Sequence, residues 1–205
     1  MNLKSDHVMQ FKVTLTGIRP PIWRRILVPC DYSFWDLHVA IQDAMGWMDC
    51  HLHQFEVTIP LTTETVLVGI PLEEDMLDGD SVAPGWNLPI AALFTLFNRK
   101  ASYEYDFGDS WRHAVVLEKI RPREKNEVCP VCIGGKRACP PEDCGGVWGY
   151  QNLLAAIADP TDEDHEEMMQ WVGGSFDPEH FTKDAVVFTD PSKRWDMAFR
   201  HRPTI

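Results

Sequence analysis

Apolar and polar positions alternate from Val8 to Ile18, with Met9, Phe11, Val13 and Leu15 set against Gln10, Lys12, Thr14 and Thr16. That two-residue period predicts a strand with one buried face. Arg19-Pro20-Pro21 ends it, and Ile22 to Val28 predicts a second strand, antiparallel to the first because the connection is short and proline-containing. The period then changes. Phe34, Leu37, Ile41 and Met45 fall at helical spacing behind Ser33, a favoured N-cap residue, and ahead of Gly46, a helix stop. From His51 to Ile59 alternation resumes, so the chain opens in the order ββαβ, the start of a β-grasp-like unit.

Pro60 to Pro89 is loop-rich, with a short strand predicted over Thr65 to Ile70 and an acidic patch at Glu73, Glu74, Asp75, Asp78 and Asp80. Leu88 to Phe97 predicts a short helix packing Ile90, Leu93, Phe94 and Phe97. Tyr103 to Glu118 is the centre of the pattern. Tyr103, Tyr105 and Phe107 alternate up to a Gly108-Asp109 turn, after which Trp111, His113, Val115 and Leu117 continue the same face. An aromatic hairpin follows from this spacing. Beyond it, helices are predicted over Trp148 to Ala158 and Asp162 to Val172, with short ones around Pro178 to Val187 and Lys193 to Arg200. The expected architecture is one α+β domain, 1–205, built on a mainly antiparallel mixed sheet. A sheet-rich core spans 8–120, a cysteine-rich loop 121–147 and a helical part 148–205.

Composition narrows the function classes. The chain has 205 residues and 44% hydrophobic content, enough for a sizeable core. Nineteen basic against 31 acidic residues give a net charge of −12, which disfavours nucleic acid as a partner and leaves an unknown protein as the expected one. No run near the ~18 apolar residues of a membrane span is present, and MNLKSDHVMQ lacks the apolar centre of a signal peptide, so a cytoplasmic location is expected. Six cysteines without an export signal then point to reduced thiols or metal ligands rather than disulfides.

The sharpest chemical pattern is Cys129-Pro130-Val131-Cys132 followed by Cys139 and Cys144. Four thiolates at such spacing can close a tetrahedral structural zinc site, and Gly134 and Gly135 suit the turn of a knuckle. Reduced structural thiols and a CxxC redox pair are the alternatives, and His113 is the nearest histidine to replace a missing ligand. A second constellation joins Asp106, Asp109 and His113 to Glu142 and Asp143, types that serve as general base or magnesium ligands. Each has a structural reading too. Asp106 and Asp109 flank a turn, and His113 lies on the apolar face. His51 and His53 share one face of a strand, consistent with metal or with a polar strand edge. His165-Glu166-Glu167-Met168-Met169 lacks the second histidine of a zinc-protease helix, and Asp106-Phe107-Gly108 stands without the other elements of a kinase.

YEYDFGDSWRH, RACPPEDCGGVWGY (Arg137 to Tyr150) and FDPEHF (Phe176 to Phe181), with IRPPIWRRILVP (Ile18 to Pro29), resemble the Ri-plasmid open-reading-frame-three-like family, also described as insertion-element passenger TnpR proteins. The segment from Asp36-Leu37-His38 to His51-Leu52-His53-Gln54-Phe55 is similar as well. That resemblance implies a mobile-element setting. The chain itself lacks the His-x-x-Arg of a tyrosine recombinase, and Ser33 is better used as a helix cap than as a resolvase nucleophile. The expectation is a non-enzymatic accessory or interaction protein, with Cys129, Cys132, Cys139 and Cys144 as the candidate ligands of a structural zinc. The alternative is a nucleic-acid-processing enzyme or recombination factor using Asp106, Asp109, His113 and Glu142.

Overall fold

Alternation in the sequence becomes alternation in burial. In the computed structural model, which describes residues 6–72 and 82–199, strand β1 (His7–Leu15) buries Met9, Phe11, Val13 and Leu15, and β2 (Ile22–Pro29) buries Ile22, Ile26 and Val28 on the same face. Helix α1 (Phe34–Met45) follows, then β3 (His53–Thr58), β4 (Thr65–Gly69) and the two-residue β5 (Ala83–Pro84). A single turn, α2 (Ile90–Leu93), precedes β6 (Lys100–Tyr105) and β7 (Trp111–Pro122). The chain continues through β8 (Val131–Lys136), α3 (Gly146–Ala158), α4 (His165–Trp171) and α5 (Pro191–Phe199). The acidic patch from Glu73 to Asp80 lies outside the described residues.

Among the described residues one sheet holds eight strands, in the order β5-β4-β3-β6-β7-β1-β2-β8. Every pairing is antiparallel except β4 with β5. The opening ββαβ order is present, and the aromatic hairpin β6–β7 lies between β1 and β3. In that hairpin Tyr103 faces His113 and Tyr105 faces Trp111, so four large side chains line up across two central strands. Burying each aromatic ring contributes on the order of 2 kcal/mol, and a central position keeps water from both strand edges.

Helix α1 lies over this buried face. Its start carries a capping box: Asp36 N donates to Ser33 Oγ (3.2 Å), and Ser33 N donates to Asp36 Oδ2 (2.8 Å). Gly46, at φ 91°, closes the other end by donating to the Gln42 carbonyl (2.8 Å). The opposite face of the sheet is wet. There Arg25 grips Glu118 through Nε and Nη2 (2.7 and 2.9 Å), and Gln10 donates to the same carboxylate. Among the described residues no helix is long and apolar enough to cross a membrane.

Four local expectations change. Residues 131–136, expected within a loop, form an edge strand, because β2 otherwise leaves its outer N–H and C=O groups unpaired. Gly134 and Gly135 hide that strand in the sequence, and Gly135 has a packing reason: a Cβ there would lie 2.3 Å from the Phe181 ring. The helix expected to reach Phe97 stops at Leu93, since Thr95 and Asn98 close a turn of their own, leaving Phe97 96% exposed. Phe107 sits in the hairpin turn rather than on the buried face. Near Pro178 to Val187 the only regular element among the described residues is a 3-10 turn, Lys183–Ala185.

Candidate functional site

The hairpin and α1 meet in a buried polar cluster. His38 and Gln42, a helical turn apart on α1, both reach the Tyr103 hydroxyl: His38 Nδ1 lies 2.9 Å from it and Gln42 Nε2 donates to it at 2.9 Å. His38 Nε2 lies 2.8 Å from Asp49 Oδ1. A carboxylate only accepts, so the hydrogen sits on Nε2 and Nδ1 accepts from Tyr103. His53, from β3, stacks on His38 with ring centroids 3.4 Å apart and planes 8° from parallel. It is 3% exposed, its Nδ1 has no partner among the described residues, and burial followed by the neighbouring His38 holds its pKa well below the usual range. Arg194 of α5 covers this cluster, donating from Nη2 to Asp43 Oδ1 (2.6 Å) and lying 3.6 Å from Asp49 Oδ2 through Nη1.

His38, Asp49 and His53 offer one ligand atom each within 4.8 Å. Metal–imidazole bonds of about 2 Å lie in the ring plane. An ion at that distance from nitrogens of two parallel rings 3.4 Å apart would sit far out of both planes, so the arrangement fits a stacked, hydrogen-bonded core better than a metal centre.

A second cluster surrounds the hairpin turn at the surface. Asp106, at φ 56°, accepts from the N–H groups of Gly108 (2.9 Å) and Asp109 (3.3 Å), and Ser110 N donates to its carbonyl. Asp109 accepts from Gly145 N at 3.1 Å, tying the turn to the start of α3. His51 Nε2 lies 2.9 Å from Asp143 and 3.6 Å from Asp106. Glu142 accepts from Met48 N (2.7 Å) and from the Tyr105 hydroxyl (3.1 Å), and burial raises its pKa.

Of the expected acid–base set, Asp106, Asp109, Glu142 and Asp143 therefore stand around one rim. His113 does not join them. It is 1% exposed beneath Trp47 and Tyr103, both ring nitrogens lack partners among the described residues, and burial pushes its pKa down to about 4. The histidine at the rim is His51. The sequence pairs His51 with His53 on one strand face, but β3 begins only at His53, so the two rings diverge, one to the rim and one to the core. Nor is β3 a strand edge: it lies between β4 and β6.

The four cysteines are not brought into one ligand set, since no three of them place sulfurs within 4.8 Å among the described residues. Strand β8 aligns Cys132 with Ile26, while the Cys129 thiol donates to the Leu27 carbonyl at 3.3 Å. Burial pushes Cys129 and Cys144 up to about 12, and raises Cys132 and Cys139 as well. Arginines hold this region instead. Buried Arg24 donates to the Ala44 and Lys136 carbonyls (2.8 and 3.2 Å) and lies 3.8 Å from the Phe181 ring centroid. Arg137 donates to Pro20 O and to Glu179 (both 2.6 Å).

A single eight-stranded, mostly antiparallel sheet, one helix across its buried face and a clamped C-terminal helical part define an α+β protein whose motifs serve first to join its segments. The chain belongs to the plasmid pRiA4b ORF-3-like family, which it matches over residues 7–185. It is 37% identical over 168 residues to the uncharacterized protein y4hQ of Sinorhizobium fredii, covering 82% of each chain. A crystal structure of the protein of unknown function MM3350 from Methanosarcina mazei Go1 is 43% identical and superposes with a TM-score of 0.83, covering 90% of this chain and all of that one.

Proposed function

We propose that this protein is a non-catalytic accessory module that receives a positively charged protein segment on the rim around the hairpin turn. The observation that carries the reading is how the rim's polar groups are used. Asp106 organises a turn, Asp109 caps the approach to α3, and Glu142 holds the Met48 backbone and Tyr105, so each is engaged in joining loops. Their charge is still uncompensated, because His51 is the only basic side chain bonded to them among the described residues. Met48 after α1, Phe107 in the hairpin turn and Trp148 in the first turn of α3 are exposed by 68, 49 and 79%. Aromatic and methionine side chains ringed by one sign of charge are the composition of a protein-binding surface, here one complementary to lysine or arginine.

A fluorescent peptide mixing lysine, arginine and leucine tests this by anisotropy. Trp148→Ala and Asp143→Asn should each weaken binding at least fivefold, while Glu166→Gln plus Glu167→Gln on α4 should change it less than twofold. Equal losses from both sets would mean only bulk charge attraction and would overturn the reading.

A second reading keeps the convergence of His51, Asp106 and Asp143 as nucleic-acid-processing machinery. Carboxylates with an imidazole can hold a divalent ion, but beyond His51 the set carries no basic group to meet a phosphate backbone. Cleavage of labelled DNA or RNA with magnesium or manganese, lost in His51→Ala, would replace the first reading with this one.

A further inference from the structure

Helix α5 begins after residue 185, where the family match ends, and it builds a cleft with the start of α1 and the segment after β5. The cleft measures about 500 Å³. Trp35, Trp86 and Trp195 form its aromatic wall, and Asp31, Asp36 and Asp196 supply the charge; among the described residues no lysine, arginine or histidine lines it.

The indoles are fixed in place. Trp195 meets Trp35 edge-on at 5.2 Å and 89°, and Trp86 at 4.8 Å and 61°. Trp35 donates its Nε1–H to the Pro191 carbonyl at 3.0 Å, which locks that ring against the first turn of α5. Rings at these separations touch one another, so a ligand lies against their outer surface rather than between them. Asp36 is fixed too, by its bond to the Ser33 backbone.

We propose that this cleft binds an organic cation, an alkylated ammonium group resting on the indole wall with its charge toward Asp31, Asp36 and Asp196. The π-faces of tryptophan attract a cation electrostatically, and they favour weakly hydrated alkylated ammonium over a small metal ion because the apolar substituents are buried as well. Carboxylates around the rim add attraction that salt screens only in part at this range. Neutral ligands gain the apolar contact but neither electrostatic component, and anions are repelled. The site is separate from the rim around the hairpin turn and stands or falls independently of the proposed function.

Indole fluorescence reports the cleft directly. Choline chloride titrated into the full chain should give saturable quenching, at least tenfold tighter than its neutral isostere 3,3-dimethylbutanol, with sodium chloride at matched ionic strength giving none. Tighter binding of choline than of n-butylammonium assigns a free quaternary cation, and the reverse order assigns a primary ammonium such as a lysine side chain carries. Trp195→Ala should abolish saturation. Because that change could release α5, Trp86→Ala and Asp31→Asn, both at exposed positions, serve alongside it: each should weaken choline at least fivefold with an unchanged thermal midpoint. Non-saturating quenching, equal affinity for choline and the neutral isostere, or full affinity in both Trp86→Ala and Asp31→Asn would overturn the proposal.

Discussion

Acidification should destabilise this protein well before its paired carboxylates titrate, and His113 should be a main cause. In the folded chain the imidazole is sealed under Trp47 and Tyr103 with its pKa lowered from 6.5 to about 4 by burial. In the unfolded chain it returns to the ordinary value, so between these two pH values the unfolded state binds more protons. Stability therefore falls as pH drops through 6.5 and levels off below about 4. At roughly 1.4 kcal/mol per pKa unit, His113 alone costs about 2 kcal/mol at pH 5 and about 3 kcal/mol by pH 4. His53, also buried with a lowered pKa, acts in the same direction. Glu118 and Glu127, whose pKa values are lowered by Arg25 and Arg121, lose their contribution only below their ordinary value of 4.5. Urea unfolding at pH 7, 6 and 5 isolates the histidine window. His113→Phe, which keeps an aromatic ring but has nothing to protonate, should remove about 2 kcal/mol of the loss between pH 7 and 5 whatever its stability at pH 7. If the variant keeps the whole loss, the buried neutral histidine is not the cause.

Tyr103→Phe removes the hydroxyl shared by His38 and Gln42 and leaves two buried polar groups without that partner, at a cost of about 3 kcal/mol in chemical denaturation. A change below about half a kcal/mol would show that water or a rearrangement replaces it. Ser33→Ala breaks the capping box of α1 and should cost about 1 kcal/mol, with the thermal midpoint falling by a few degrees. Gly149→Ala places a Cβ 1.9 Å from the Cys144 carbonyl, a backbone atom that no rotamer change can clear. The start of α3 must then shift, and the expected result is a loss of more than about 2 kcal/mol or of soluble expression; a melting curve matching the parent's would refute the close approach.

The sheet was largely legible because its buried face is written in a strict two-residue period: Met9, Phe11, Val13 and Leu15, then Tyr103, Tyr105, Trp111 and His113. Helix α1 was legible at both ends, through Ser33 and Gly46. What could not be read depended on pairing across the chain. Strand β8 owes its existence to the open edge of β2 rather than to the preferences of Gly134 and Gly135. Thiol spacing in the sequence says nothing of the arginines that fix those loops. At the site, the acids are visible as a group around the hairpin; His113 is buried, as its place on the apolar face suggests, and the histidine that stands with the acids is His51. His113 and His51 differ in exposure, and exposure follows from sheet order: β7 lies between β6 and β1, with α1 above. His38 drew no notice as a chemical group because it stands on an apolar helix face, four residues from Gln42, and only the fold brings Tyr103 and Asp49 to it.

Arg194 makes α5 in effect an intramolecular ligand. Its guanidinium reaches Asp43 on α1 and Asp49 in the following loop, so the sheet's polar interior is closed by a helix tethered through a short connection rather than by the core itself. A tether holds such a segment at an effective concentration of order millimolar, enough to keep a weak contact shut most of the time while leaving it free to open without unfolding the sheet. Amide exchange should then be faster across 191–199 than across α1, and faster again when Arg194→Ala removes the anchor. The same opening would uncover Trp35, whose ring lies against Trp195 and Phe199 of α5.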